Sequence, residues 1–175
     1  AHHTFWMYKW FDYNNFQTND IIVDLAKQIQ PWGLYAINRM LSFYIEPIMI
    51  SKIMPLLLLL ITCLYLLSLL EKRFSLKIGV IGSIWISNFL MASMAGFHAR
   101  AFAYPLLIVF LYYLSKNNMK SISIILILSS LLYPVSFLII SLALIIDNCL
   151  SYCLKMKRLS EITPNLTIVL AIIIG

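Results

Sequence analysis

The segment GFHARAFAYP, residues 96–105, places a histidine and an arginine between two long apolar stretches of the chain. The planar guanidinium of Arg100 carries a fork of donors that suits a phosphate group, and His98 could donate or accept a proton beside it. An arginine near a helix end can instead extend its charged head toward lipid headgroups, so anchoring is the alternative role. The functional interpretation predicts that Arg100 and His98 bind an anionic substrate.

A pair of carboxylates in the N-terminal part of the chain offers a second kind of chemistry. Asp20 and Asp24 are four residues apart and would share one face of a helix. Two carboxylates with this spacing could act as a general base or hold a divalent cation. Alternatively, Asp20 caps the helix IIVDLAKQIQ and Asp24 is a solvated side chain. We predict Asp20 and Asp24 as candidate catalytic residues, with a divalent cation as the one cofactor left open.

Other catalytic and binding signatures are absent from the sequence. It contains no Gly-x-Ser-x-Gly, no phosphate-binding glycine loop and no His-Glu-x-x-His. The three cysteines, at positions 63, 149 and 153, do not form a zinc pattern. The formal net charge of +6 comes from short basic clusters between apolar blocks, which is typical of cytoplasmic loops. Nucleic acid is therefore not an expected partner.

The elements that must position these residues are membrane helices. Hydrophobic residues make up 62% of the chain and charged residues 11%, whereas ordinary soluble domains carry roughly 25% charged residues. The Leu- and Ile-rich blocks lack the alternation of strands, and a helix satisfies its own backbone hydrogen bonds inside lipid. We expect an all-α fold, a polytopic transmembrane helical bundle in the plasma or inner membrane, in contact with membrane lipids.

The pattern along the chain predicts three parts. Residues 1–48 form an extracytoplasmic loop of two short amphipathic helices, the first with Ile21, Leu25 and Ile29 on its apolar face and ended by Pro31 and Gly33. Residues 49–163 hold transmembrane helices at about 48–70, 78–95 and 102–115, and a short pair at 121–133 and 135–150. Residues 164–175 begin a further helix. Since the chain starts at Ala1 and stops in an apolar run, we expect a fragment of a longer protein.

The block at residues 121–146 allows two interpretations. It is long enough for one kinked crossing, but a single crossing would place the basic cluster KMKR outside. A hairpin of two short arms, each about 13 residues, avoids this and turns at Tyr133 and Pro134, because proline disfavours helix at the residue before it. Short arms of this kind must pack against other helices or line a cavity.

Two runs of the sequence resemble a known superfamily. HHTFWMYKWFDYNNFQTNDIIVDLAKQIQPWGLYAINRML looks like the first extracytoplasmic loop of uncharacterised bacterial polytopic membrane proteins related to the GT-C glycosyltransferases. GFHARAFAYPLLIVFLYYL is similar to their Gly-x-x-Arg-x-Phe-Ala-x-Pro-Leu segment, and LLYPVSFLI to the short-helix turn that follows. The resemblance covers roughly residues 2–146. One departure is His98, where relatives often carry proline. Relatives also usually carry acidic residues immediately before the position where this sequence starts, so a catalytic base upstream of Ala1 stays an open alternative to Asp20.

The resemblance implies a membrane transferase that takes a sugar from a polyprenyl-phosphate carrier on the extracytoplasmic side. In such enzymes an acidic first-loop residue is the base and a buried arginine stabilises the phosphate leaving group. Asp20 matches the acidic position, Arg100 matches the arginine, and Tyr133 lies in the turn that would contact substrate. Two other classes stay open. One is a transporter or flippase with polar groups near the bilayer midplane, for which Asn88 and several serines are the candidates, although serines in membrane helices commonly serve packing. The other is a non-catalytic membrane scaffold.

Overall fold

A computed structural model describes residues 7–11, 21–71, 74–94 and 98–156, and this part of the chain is all-α, without a strand. Its α-helices are α1 Tyr8–Phe11, α2 Ile21–Ile29, α3 Trp32–Ser42, α4 Pro47–Glu71, α5 Leu76–Met94, α6 Ala103–Ser115, α7 Met119–Leu132 and α8 Pro134–Met156. A short 3₁₀ turn, Ala99–Phe102, precedes α6.

Helices α4 to α7 run alternately up and down, so that the bundle has two distinct ends. Gly79 at the start of α5 lies beside Leu67 and Leu70 near the end of α4, as expected for antiparallel neighbours. Helix α4 also packs along α6, and α6 packs against both α7 and α8. One end, here called the Arg100 end, contains α1–α3, the start of α4, the 3₁₀ turn and the end of α7. The other, here called the Lys116 end, contains the end of α4, the start of α5 and the α6–α7 connection.

Helix α4 is the one helix in the described residues that is both long and apolar enough to cross a membrane. It has 25 residues and a mean hydropathy of 2.6 over its most apolar window. At 1.5 Å per residue it spans about 37 Å, more than the ~30 Å apolar core of a bilayer. The other predicted crossings correspond to shorter apolar helices. The crossing at 78–95 corresponds to Leu76–Met91 and the one at 102–115 to Ala99–Ser115. The pair at 121–133 and 135–150 corresponds to Met119–Leu132 and Pro134–Leu150.

Helix α2 exposes the apolar face that the sequence predicts for it. Ile21, Leu25 and Ile29 are 81%, 55% and 73% exposed, whereas Val23 is buried. Helix α3 turns Leu34, Asn38 and Ser42 inward, and Ser42 Oγ donates a hydrogen bond to the backbone oxygen of Asn38 at 2.7 Å. Helix α3 thus packs inward through Leu34, Asn38 and Ser42, while Ile21, Leu25 and Ile29 of α2 stay exposed.

Gly33 lies inside α3 and does not end α2, contrary to the sequence prediction. Helix α2 ends at Ile29 and α3 begins at Trp32, after Pro31. The physical reason for glycine is the close approach of α7: a Cβ at position 33 would lie 2.8 Å from both the Cβ and the carbonyl oxygen of Leu131. Helix α3 therefore crosses the last turn of α7 with almost no space between the backbones.

The helical structure breaks at Tyr133, between α7 and α8. Tyr133 has φ −152° and ψ 93°, the extended conformation that a following proline favours. Its N–H still donates to Ser129 O at 2.9 Å, and its carbonyl oxygen accepts from Ser136 N at 3.0 Å. Pro134 occupies the first position of α8, where a missing N–H costs nothing. Helix α8 runs to Met156, past the predicted end at residue 150, and packs against α7 and α6.

Candidate functional site at the Arg100 end

The 3₁₀ turn decides where the Arg100 side chain points. Ala101 and Phe102 are 1% and 5% exposed and face the core, and Ala101 N donates to His98 O at 2.9 Å to close the turn. Because a 3₁₀ turn has three residues per revolution, burying Ala101 and Phe102 directs Arg100 outward. Arg100 is exposed. The family resemblance implies a buried arginine at this position. That prediction is wrong, because Arg100 is exposed.

Exposure changes what Arg100 can do. A guanidinium at the surface keeps its full set of donors available to a charged group that approaches from outside. Among the described residues, no carboxylate lies within ion-pair distance of Arg100. The arrangement suits a phosphate that approaches from outside the bundle better than a phosphate enclosed in the core.

His98 and Tyr133 reach the same end of the bundle from two different connections. His98 immediately precedes the 3₁₀ turn, with an extended backbone at φ −91° and ψ 170°, and is half-buried. Tyr133 is also half-buried and contributes to the apolar packing at the end of α7, and the 3₁₀ turn packs against α7. The short α6–α7 connection makes these two helices antiparallel, so the end of α7 lies beside the start of α6.

Of the two predicted catalytic carboxylates, the structure describes Asp24 but not Asp20. Asp24 is half exposed on α2, and its Oδ1 lies 3.8 Å from the Nζ of Lys9, whose side chain is 18% exposed. Position 20 lies outside the described residues. The candidate base Asp24 therefore has an ammonium group as a close neighbour.

The Lys9–Asp24 ion pair is expected to contribute little to stability. Half exposure of the carboxylate and a separation near the limit for an ion pair indicate a coupling energy below about 1 kcal/mol. The coupling energy is measured with a double-mutant cycle of Asp24→Asn and Lys9→Gln, in which the free energy of unfolding of each variant is determined in detergent. A coupling well above this value would show that the pair holds α1 on α2.

A hydrogen bond ties α1 to the start of α4. The Tyr8 hydroxyl donates to Glu46 Oε1 at 3.1 Å. The ring of Trp10 in α1 also meets the ring of Tyr35 in α3 edge-on, with the ring centroids 5.1 Å apart. Desolvation and the neighbouring Glu46 carboxylate both raise the pKa of the Tyr8 phenol above its usual value. Tyr8 therefore stays protonated and continues to donate throughout the neutral pH range.

The structure gathers some of the predicted site residues at one end but does not assemble a catalytic constellation from them. Arg100, His98, Tyr133 and Asp24 all lie at the Arg100 end. In the ranges that the structure describes, no group of three His, Cys, Asp or Glu residues could hold a metal ion. The divalent cation left open by the sequence therefore has no candidate ligand set in these ranges.

Sequence reasoning missed Lys9 and the packing role of Gly33. Lys9 is 15 residues from Asp24, too far for any helical spacing rule to connect them. Gly33 could have been suspected because glycine weakens a helix and commonly marks a close backbone approach.

No family model matches this chain, and no curated protein or solved structure matches it. The resemblance to the GT-C glycosyltransferases thus stays a prediction from the sequence.

Proposed function

We propose that the chain is an integral membrane protein of the glycosyltransferase kind, which moves a sugar from a polyprenyl-phosphate donor at the Arg100 end. The observation that carries the proposal is the exposed Arg100 at one end of an apolar helical bundle, in the 3₁₀ turn that packs against α7. Arg100 would contact the phosphate of the carrier, and His98 and Tyr133 would contact the sugar-phosphate from the two flanking connections.

The distribution of polar and apolar side chains supports the membrane placement. Only 11% of the most apolar window of α4 is buried, whereas the core helix of a soluble protein would be mostly buried. Its exposed side includes Leu56, Leu60 and Leu64, all more than half exposed. Lipid is the environment in which such a surface has no hydration cost.

The interior of the bundle supports the same placement. Several buried side chains are small and polar, and their hydroxyls bond to the preceding turn of their own helix. Thr62 Oγ1 donates to Leu58 O at 2.7 Å, and Ser129 Oγ donates to Leu126 O at 2.9 Å. Small residues at helix contacts are typical of membrane bundles, where close packing replaces the hydrophobic effect as the force between helices.

The proposed reaction is a displacement at the anomeric carbon of the sugar. The oxygen of an acceptor hydroxyl forms the new bond, the bond from the anomeric carbon to the phosphate oxygen breaks, and the carrier phosphate leaves with the electron pair. The acceptor proton passes to an acidic residue of the N-terminal segment, for which Asp20 and Asp24 are the candidates. Arg100 stabilises the negative charge on the departing phosphate.

Asn88 gives no support to the transporter alternative. A transporter of the broken-helix type would turn polar groups inward near the middle of the membrane. Asn88 is exposed on α5, and its Nδ2 donates to Ile84 O of its own helix at 3.0 Å. It therefore faces away from the bundle interior.

The proposal is tested with the purified chain in liposomes that contain a polyprenyl-phosphate sugar radiolabelled in the sugar. Release of polyprenyl phosphate, with the label transferred to an acceptor alcohol, is the expected result. Movement of the intact donor across the bilayer without cleavage would indicate a flippase. Failure to bind the donor at all would indicate a scaffold and contradict the proposal.

A further inference from the structure

A cluster of three tyrosines and a lysine, outside the candidate site, lies at the Lys116 end of the bundle. Tyr65 of α4 meets Tyr112 and Tyr113 of α6, with ring centroids 5.0 Å and 6.0 Å away. The hydroxyls of Tyr65 and Tyr113 are 3.3 Å apart and share a hydrogen bond. Together with Lys116, these residues are called the tyrosine–lysine cluster below.

Lys116 is held over this aromatic surface by two interactions with one ring. Its Nζ lies 4.3 Å from the centroid of Tyr112, in cation–π geometry, and also donates a hydrogen bond to the Tyr112 hydroxyl. An ammonium group has three N–H donors, and Lys116 remains exposed. The cluster therefore fixes the position of a charge while leaving donors directed to the surroundings.

The backbone beneath Lys116 is fixed as well. Asn117 adopts a left-handed conformation, φ 53°, and its N–H donates to Leu114 O at 3.0 Å, while Asn118 N donates to Tyr113 O at 3.1 Å. These two bonds form a Schellman ending for α6. The Asn118 side chain then caps α7 by accepting from Ser121 N at 3.3 Å. Because the side chain and the turn are already ordered, a ligand that binds here has little ordering entropy to overcome.

The surroundings of the cluster favour a lipid as that ligand. Lys77 and Lys120 are also exposed at this end, on the first turns of α5 and α7. Large apolar side chains are exposed close to them along the chain: Phe74 at 52%, Leu76 at 56% and Met119 at 59%. Lysines interleaved with exposed apolar and aromatic side chains at the end of a membrane-length helix match the layer where headgroup phosphates meet acyl chains.

We propose that the tyrosine–lysine cluster binds the headgroup phosphate of an anionic phospholipid in the leaflet at the Lys116 end. The lysine Nζ donates to the phosphate oxygens, and the acyl chains lie against the exposed apolar side of the bundle. This inference rests on the membrane placement of the proposed function but not on its transfer reaction, which belongs to the opposite end.

The test uses the whole chain in phosphatidylcholine nanodiscs with a fluorescently labelled phosphatidylglycerol as the probe. Lys116→Ala should weaken phosphatidylglycerol binding by about tenfold, because it removes the fixed charge. Tyr112→Phe, which keeps the ring and removes the hydroxyl, should give a smaller loss. The matched control is Lys120→Ala, which removes an equal charge from the same end of the bundle and should weaken binding by at most about fivefold.

Two results would overturn the inference. Equal losses for Lys116→Ala and Lys120→Ala would mean that a diffuse positive surface, and not the cluster, attracts the lipid. Competition by inorganic phosphate as effective as competition by unlabelled phosphatidylglycerol would mean a site for free phosphate. Circular dichroism of each variant verifies that the helices are intact, and because this probe is not a polyprenyl carrier, its result does not depend on the transferase assay.

Discussion

Replacing Gly33 by leucine should separate α3 from α7 and leave a bundle that unfolds at a clearly lower temperature. A Cβ at position 33 would lie 2.8 Å from the carbonyl oxygen of Leu131 and 3.0 Å from its carbonyl carbon. These atoms belong to the backbone of a helix, so they cannot rotate aside as the end of a side chain can. Even alanine should lower the free energy of unfolding by about 1–3 kcal/mol, and leucine by more.

Gly79→Ala is the matched control for this prediction. Gly79 is also a helical glycine at a helix–helix contact, but a Cβ there would approach its nearest neighbour, Leu67 Cδ1, only to 3.4 Å. That distance is an ordinary contact with a flexible side chain, and alanine favours helix over glycine by up to about 1 kcal/mol. We expect the Gly79 variant to be as stable as the wild type or more stable.

Thermal unfolding in detergent, followed by circular dichroism, measures both variants. Amide hydrogen exchange over α3 then shows whether this helix has lost its protection while α4 and α6 keep theirs. If Gly33→Ala and Gly79→Ala unfold at the same temperature, the close crossing of α3 and α7 does not exist in the folded protein.

The helical class of this fold was predictable because composition and block pattern determine it. Leu- and Ile-rich blocks without alternation favour helices over strands. Pro134 interrupts the last block at Tyr133, because proline disfavours helical geometry at the residue before it. The Lys116–Tyr112 pair was also within reach of the sequence, since residues four apart on a helix are neighbours. These signals are local, and each depends on only a few residues of the chain.

The candidate site was less predictable because its geometry depends on contacts between distant segments. Arg100 is exposed because Ala101 and Phe102 are buried in the core, and the sequence does not reveal which face of a 3₁₀ turn will pack inward. Asp24 meets Lys9 because α1, which packs against α3, brings Lys9 close to α2. The spacing of Asp20 and Asp24 predicts that they share one face of a helix. It gives no information on Lys9, the residue of α1 that lies beside Asp24.

Replacing Arg100 by alanine should weaken the binding of a polyprenyl phosphate by at least about tenfold while the protein stays folded. A hydrogen bond to a charged group contributes about 1.5–3 kcal/mol, and about 1.4 kcal/mol corresponds to a factor of ten. Because Arg100 is exposed, its removal leaves no cavity, and we expect the unfolding temperature to be unchanged. Arg100→Lys should restore only part of the affinity, since lysine keeps the charge and loses the planar fork of donors.

Arg39→Ala provides the control that separates a specific contact from a general effect of charge. Arg39 is an exposed arginine in the last turn of α3, among the helices of the Arg100 end. If both alanine variants bind as tightly as the wild type, Arg100 is an anchor at the headgroup layer, and the transferase proposal loses its phosphate contact. If both lose affinity equally, the carrier responds to the positive charge of this end as a whole. A loss confined to Arg100, with partial recovery in the lysine variant, identifies a directed contact between the guanidinium and the phosphate.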